Sequence, residues 1–179
     1  MKDIAKLMDA VYDAYNLALP NGKTRGIFEP FFSEGRWYTK CNEGFNFVAK
    51  RMGYDKFDRR ETANTTDAQL ANVIFKRMQD YEGDWRQIDG VLAATMATSG
   101  CLVAAIDQNA DFPGHVCVVI PGNIEHSGNY GFAVPKVMNI GKDVFIGKRV
   151  SFAFQVTDKP YYFCLKADFE PLKDDLAAA

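Results

Sequence analysis

The chain has few of the features that mark proteins acting on nucleic acids, membranes or metals. Its 21 basic and 23 acidic residues give a net charge of -2, which lacks the basic excess that nucleic-acid binding requires. No apolar run is long enough to cross a membrane as a helix. Only two histidines are present, without an HExxH motif. The sequence therefore gives little support to a metal-dependent hydrolase, and we expect no metal and no cofactor.

The four cysteines form neither a zinc-binding pattern nor a disulfide framework. They are widely spaced without a CxxC pair, and a chain of 179 residues does not need disulfides to hold its fold. Three of them lie among apolar neighbours and are predicted to be small buried hydrophobic residues: Cys101, Cys117 and Cys164. Cys41 differs, because its neighbours are polar or charged.

The composition favours a single globular domain over residues 1–179. The sequence is 47% hydrophobic and 13% aromatic, which supports a full-sized core. Residues 1–20 carry an amphipathic helical pattern rather than the continuous apolar stretch of a signal peptide. We predict an extra N-terminal helix there, followed by helices and then by short β-rich runs. This order favours an α+β fold with an antiparallel sheet packed against helices.

Individual elements can be predicted from local patterns. An aromatic-rich stretch at 28–40 is interpreted as irregular, and a helix begins at Cys41 and ends at Gly53. A second helix is capped by Thr66, and a third occupies Val91 to Thr98 within WRQIDGVLAATMATSG. Strands are predicted for CLVAAID, HVCVVIPG, KVMNIG, SFAFQV and YYFCLK. The aromatic residues of the last two segments are expected in the sheet core.

Cys41 is a candidate nucleophile because it lies where a helix begins. Unpaired amides and the positive end of the helix dipole favour a thiolate there, and the same amides could bind an oxyanion. His115 opens a strand, where a rigid sheet could hold it as a base, and Asn139 on a later strand could orient it. His126 lies in a glycine-rich loop and is a weaker candidate. Each residue also has a plain structural interpretation, as a packed cysteine, a surface histidine or a turn asparagine.

This order of residues resembles the NlpC-type papain-like cysteine peptidases and amidases, which are related to the CHAP amidases. The segments that carry the resemblance are TKCNEGFNFVAKRMGY, GHVCVVIPG and VPKVMNIGK, within about residues 37–165. The resemblance implies a papain-like core and a catalytic triad of Cys41, His115 and Asn139. Two features depart from the common family pattern: Lys40 precedes the cysteine, and an asparagine stands where many relatives have a second histidine.

The resemblance implies an enzyme that cleaves an amide bond in bacterial peptidoglycan peptide, as an endopeptidase or an N-acetylmuramoyl-L-alanine amidase. Such an enzyme would act in the periplasm or cell wall, which it would reach by export, injection or phage delivery. We expect a monomer, with an immunity or inhibitor protein as a candidate partner. Trp37 and Tyr38 could form an aromatic wall beside Cys41, and Arg36 could meet a substrate carboxylate.

Three alternatives remain open at this level. The same catalytic core could act on another acyl substrate, such as a lipid or a protein amide. The domain could be a binding module whose Cys41 is inert, which thiol reactivity would reveal. A metal hydrolase is the third, and sensitivity to chelators would identify it.

Overall fold

A computed structural model gives the structure of residues 3–21, 26–57, 71–79, 83–107 and 114–169, with Arg36 and Trp37 described by their backbone only. These residues form an α+β fold, as predicted. The helices are α1 (Ile4–Ala18), α2 (Cys41–Arg51), α3 (Ala71–Gln79) and α4 (Gly90–Thr98). The strands are β1 (Phe31–Ser33), β2 (Arg36–Tyr38), β3 (Trp85–Ile88), β4 (Val103–Asp107), β5 (His115–Val119), β6 (Glu125–Ser127), β7 (Phe132–Val134), β8 (Lys136–Ile140), β9 (Val144–Arg149) and β10 (Tyr161–Leu165).

A six-stranded antiparallel sheet forms the centre of the fold, in the order β3-β10-β4-β5-β8-β9. Strand residues alternate between its two faces. On one face, Val116 and Val118 belong to a core cluster with residues of α1, α2 and α3. On the other face, Cys117 and Val119 belong to a second cluster with residues of α4 and of β7. The sheet is therefore covered on both faces.

Helix α2 begins and ends where its sequence predicts. Its apolar residues Phe45, Val48 and Ala49 recur at helical spacing and are all buried. The chain leaves the helix through Gly53, whose φ of 94° is a left-handed conformation that glycine adopts without strain. This helix packs against β5 and β8, which sets its first residue, Cys41, beside the sheet.

Several predicted elements differ from the structure. The SFAFQV segment forms a 3₁₀ turn (Val150–Phe152) and bends instead of a strand. The helix predicted at Val91 to Thr98 is confirmed as α4, and the residues WRQI ahead of it form strand β3, which was not predicted. Residues 31–38 pair as a hairpin instead of being irregular. Thr66 lies outside the described residues. The aromatic residues of SFAFQV and YYFCLK were expected in the sheet core, and only some of them are buried. Phe154, Tyr162 and Phe163 are buried, whereas Phe152 and Tyr161 are exposed.

The physical reason for these differences is the limited length of the apolar runs. Periodicity over four residues cannot separate a short strand from one helical turn, so the pattern did not reveal a strand at WRQI ahead of the predicted helix. The φ values of 51° at Glu34 and 77° at Gly35 make a tight hairpin turn, although Glu34 is not a residue that signals one. Among the described residues, no helix has both the length and the apolar character needed to span a membrane.

Helix α1 packs on α2 and on the β8 and β9 strands, so it supports the element that carries Cys41. Leu7 is fully buried in this contact, whereas Tyr12 is 49% exposed. We expect Leu7→Ala to lower the free energy of unfolding by about 2–5 kcal/mol, because it opens a cavity in the core. Tyr12→Ala on the same helix should cost no more than about 0.5 kcal/mol. Urea denaturation of both variants tests this, and equal losses would contradict the packing described.

Candidate active site

Cys41, His115 and Asn139 lie together at one end of the sheet. Cys41 is the first residue of α2, His115 the first of β5, and Asn139 lies near the end of β8. Antiparallel pairing brings the start of β5 next to the end of β8. The three residues that the sequence nominated for a triad are thus neighbours in space, although they are separated by as many as 98 positions in the chain.

The hydrogen bonds of Asn139 fix the orientation of the His115 ring. The Nδ2 atom of Asn139 donates to the carbonyl oxygen of Asp143 at 2.5 Å. Its Oδ1 atom is then the acceptor, and it lies 2.7 Å from Nε2 of His115. Since Oδ1 cannot donate, Nε2 of His115 must carry the proton in this bond. The other ring nitrogen, Nδ1, is the one left to serve Cys41.

The β5–β8 ladder ends just before the site. Its register contains the pairs Val118↔Met138 and Val119↔Val137 among the described residues. The amide of Ile120 donates to Lys136 on β8, and alternation turns the amides of Val118 and Val116 toward the same strand. The Val116 amide makes a hydrogen bond to Cys41. The thiol therefore lies beside the start of β5, where the described β5–β8 pairs have ended, and it contacts the His115 imidazole there.

Cys41 has an acidic thiol in spite of its burial. It is only 5% exposed, and burial by itself raises the pKa of a thiol. The positive charge and hydrogen bond of His115 act in the other direction, and bonds from the Val116 backbone and the Thr39 side chain assist them. The net result is a pKa of Cys41 below its usual value. The thiolate needed for nucleophilic chemistry is thus favoured at this position.

The His115 imidazole is correspondingly basic. Burial disfavours its charged form, but the interactions with Cys117 and Cys41 outweigh burial and hold the pKa of His115 well above its usual value. Its backbone amide is held by Oδ1 of Asp107 at 2.6 Å, which fixes the start of β5. The ring packs against Phe154, with ring centroids 5.0 Å apart. The imidazole is therefore fixed by contacts to both its ring and its backbone.

The N-terminus of α2 leaves backbone donors near the thiol. Lys40 is the N-cap residue and makes no side-chain capping bond, while its ammonium pairs with Glu43 at 3.2 Å. The first amides of a helix have no partner within the helix. The amides of this first turn can therefore donate to a negative oxygen next to Cys41.

A cavity of about 130 Å³ adjoins the imidazole. Its lining combines polar, charged and aromatic groups from four parts of the chain: Thr39, His115, Asn139, Gly141, Lys142, Asp143, Phe152 and Ala153. Phe152 is 57% exposed, and Arg149 lies over its ring at 5.2 Å from the centroid. The site is thus open to solvent on the His115 side and has an aromatic wall there.

Four further residues were nominated from the sequence: Arg36, Trp37, Tyr38 and His126. The side chains of Arg36 and Trp37 lie outside the described part of the chain. Tyr38 is partly buried and stacks on Phe31, with ring centroids 4.8 Å apart. His126 lies on the exposed β6–β7 ribbon, and its carbonyl oxygen accepts from Arg149.

Two site features were missed at the level of sequence. Cys117 is buried as predicted, but it is more than an apolar filler: its Sγ lies 3.3 Å from Nε2 of His115 and 3.1 Å from Oδ1 of Asn139. Its spacing of two from His115 on a strand was a readable signal, because residues i and i+2 share a face. Phe152 gave no comparable signal, since its position depends on a turn that the sequence pattern did not predict.

The described residues contain no group of three His, Cys, Asp or Glu side chains arranged to hold a metal ion. What the arrangement offers is a thiol at a helix N-terminus, an imidazole of fixed tautomer and an amide that orients it. The chain matches no model of a known protein family and no curated protein, so the case for its chemistry comes from this geometry.

Proposed function

We propose that this protein is a papain-like cysteine hydrolase that cleaves an amide bond by acyl transfer to Cys41. His115 serves as its proton carrier and Asn139 orients His115. The observation that carries the proposal is the hydrogen bond of 2.7 Å between Nε2 of His115 and Oδ1 of Asn139, which leaves Nδ1 for the thiol. This division of the two ring nitrogens is what a general base with an orienting partner requires.

The acylation step follows from the paired pKa shifts. The lowered pKa of Cys41 and the raised pKa of His115 both favour transfer of the thiol proton to Nδ1 of His115, and the mechanism starts from that thiolate–imidazolium pair. The thiolate attacks the amide carbon and forms a C–S bond, while the carbonyl oxygen becomes negative. Amides of the first turn of α2 stabilise that oxygen. The C–N bond then breaks as Nδ1–H protonates the departing amine.

Deacylation uses the same groups in reverse order. After the amine leaves, Nδ1 of His115 is unprotonated and accepts a proton from water. The hydroxide attacks the thioester carbon, and the C–S bond breaks to release a carboxylic acid and the Cys41 thiolate. Asn139 retains its bond to Nε2–H throughout, so the ring does not need to turn between the two steps.

Cys41 is a better nucleophile than Cys117, although both contact the same imidazole. Burial keeps the pKa of Cys117 above its usual value in spite of the nearby His115 charge. Cys117 also lies within a strand, without the free amides that a helix N-terminus provides. Of the two cysteines that contact His115, Cys41 is therefore the one that combines a favoured thiolate with an oxyanion site.

The proposed substrate is peptidoglycan stem peptide, which the family resemblance implies. Stem peptides are short and carry carboxylates, and the cavity beside His115 combines a lysine, Lys142, with the exposed ring of Phe152. A cationic group and an aromatic wall are suited to a small charged peptide. In this proposal the cavity contributes contacts of the kind that the sequence analysis expected from residues 36–38.

Digestion of purified peptidoglycan tests the activity and the substrate together. We expect the wild-type protein to release fragments whose masses identify the bond cleaved. Cys41→Ala should release none, because no other group can form the thioester. His115→Ala should lose about 10²–10⁴-fold in rate, the typical contribution of a general acid–base. Asn139→Ala should lose less, since it removes orientation but keeps the imidazole.

His126→Ala is the matched control for the histidine and should keep full activity. Full activity of Cys41→Ala would eliminate the triad, and loss in His126→Ala with retention in His115→Ala would move the base to the β6–β7 ribbon. If the wild-type protein releases nothing, the peptidoglycan substrate is wrong. The reactivity of Cys41 then separates another acyl substrate from a binding module.

The pH dependence of alkylation reports the thiolate directly. Cys41 should react with iodoacetamide with a midpoint below the usual thiol pKa, because His115 stabilises the thiolate. In His115→Ala the burial of the thiol remains but the compensating charge is lost, so the midpoint should move upward. The rate at pH 6 should fall by about tenfold or more. Peptide mapping by mass spectrometry assigns the label, and an unshifted midpoint would contradict the coupling of the two residues.

Gly141 provides a test of the ring orientation that leaves all three triad residues in place. A Cβ atom at this position would lie 3.0 Å from Cε1 of His115 and 3.1 Å from Nδ2 of Asn139. We expect Gly141→Ala to displace the ring and lower kcat by about tenfold or more, because errors of a fraction of an ångström already impair such sites. Gly128→Ala is the control, since nothing lies within 4 Å of its Cβ position. Equal rates in both variants would contradict the close approach.

A further inference from the structure

Cys117 lies in the site, but the proposed mechanism assigns it no role. It lies two residues after His115 on β5, with the same side-chain direction, and is 2% exposed. Its Sγ is within hydrogen-bonding range of both Nε2 of His115 and Oδ1 of Asn139. A cysteine that only filled space in the apolar cluster would have no such partners. Cys117 instead touches both members of the orienting pair.

We propose that Cys117 is a positioning residue for His115. Its thiol contacts both the imidazole and the Asn139 amide, so the three side chains form a closed ring of hydrogen bonds. The inference rests on the proposed function, because the imidazole it positions is the one that serves Cys41. It assigns Cys117 no contact with substrate and no covalent step. Its role is to act through His115 and Asn139.

The count of protons determines the direction of each bond in this ring. Nε2 of His115 has one hydrogen, which it donates to Oδ1 of Asn139 over an Nε2–Oδ1 distance of 2.7 Å. The Cys117 sulfur lies 3.3 Å from the same Nε2 atom. The Cys117 thiol has one hydrogen, which it donates to the same Oδ1 at 3.1 Å. Both lone pairs of that oxygen are then used. The Asn139 amide is thus held on both sides, because its Nδ2 donates to Asp143.

The ring requires Cys117 to stay protonated while Cys41 ionises. A Cys117 thiolate could not donate to Oδ1 and would place a negative charge against a carbonyl oxygen. Cys117 is buried within the sheet, which favours its neutral form, and it lacks the helix N-terminus that Cys41 has. The neutral sulfur still accepts weakly from Nε2–H, and that contact is stronger when the ring is positively charged. Cys117 therefore favours the imidazolium form of His115.

The other ionisable groups around this ring do not replace Cys117. Asp107, on the neighbouring strand β4, accepts from the backbone of His115 and not from its ring. Burial raises the pKa of Tyr130 to about 12 and also raises that of Tyr162, so both phenols near Cys117 stay neutral. The remaining charged groups facing the imidazole are Cys41 on α2, and Lys142 and Asp143 at the cavity.

The titration of the two histidines measures this effect without any substrate. The chain contains only His115 and His126, so the imidazole Cε1–H signals can be assigned with one His126→Gln variant. We expect Cys117→Ala to lower the pKa of His115 by about 0.5–1 unit, the size of one hydrogen bond, and to leave that of His126 unchanged. Cys117→Ser should restore most of the shift, because a hydroxyl both donates and accepts.

Cys164→Ala is the matched control, since Cys164 is a fully buried cysteine of the same apolar cluster. It should cost a similar amount of stability in thermal unfolding while leaving the His115 pKa unchanged. If Cys117→Ala and Cys164→Ala give the same His115 pKa as the wild type, the positioning role is wrong and Cys117 only fills space. A serine variant that behaves like the alanine variant would also overturn it.

Alkylation of Cys41 separates failure of this inference from failure of the proposed function. In Cys117→Ala the midpoint of Cys41 alkylation should move upward, by about the same 0.5–1 unit, as the imidazolium becomes less stable. A wild-type midpoint at the usual thiol value would overturn the proposed function itself, and the inference with it. A low wild-type midpoint that Cys117→Ala does not change would overturn the inference alone.

Discussion

The end of the β5–β8 ladder is the constraint on which the site depends. In a continuous ladder the next hydrogen-bonded pair after Val118 and Met138 would be Val116 and Ile140, because alternate residues bond across an antiparallel pair, and the Val116 amide would then donate to β8. The described pairs end at Val118↔Met138, and the Val116 amide makes a hydrogen bond to the Cys41 thiol. The end of the ladder thus leaves a β5 amide to bind the thiol of α2, next to the imidazole that the same strand carries.

This arrangement places several ionisable groups inside the protein. Their pKa shifts show how the free-energy cost of burying charged groups is limited. An isolated buried thiolate or imidazolium would be strongly unfavourable. Here the two charges are adjacent and opposite, so each offsets the desolvation of the other, and the surrounding donors and acceptors are satisfied by Val116, Asn139 and Asp143. Cys117 and the tyrosines remain neutral. The site thus carries one charge pair instead of several isolated charges.

The sequence predicted the parts of this site that depend on local signals. A cysteine among polar residues before a helical pattern located the start of α2, and the histidine and asparagine were found at the ends of apolar runs that form β5 and β8. The α+β class followed from helices early and strands late. These features rest on periodicities of 3.6 and 2 that extend over several residues.

What the sequence could not predict depends on contacts between segments. Three residues separate the end of β8 from the start of β9, and the β9 sequence VFIGKR is interrupted by a glycine with a φ of 84°. The aromatic run after it alternates as a strand does, but the turn at Val150–Phe152 follows from a backbone bond between Val150 and Pro135 on another segment. Phe152 therefore reaches the cavity wall for a reason that no local pattern contains.

Cys117 shows the difference between predicting burial and predicting a contact. Its apolar neighbours correctly indicated a buried residue, and burial is a property of a single position on a strand face. The bond it makes with Asn139 depends on the register of β8 against β5, which one sequence does not specify. A shift of that register by one residue would turn Asn139 to the other face, away from His115 and Cys117 alike. The register of a single strand pair thus decides whether these four residues form a reactive site or four separate buried side chains.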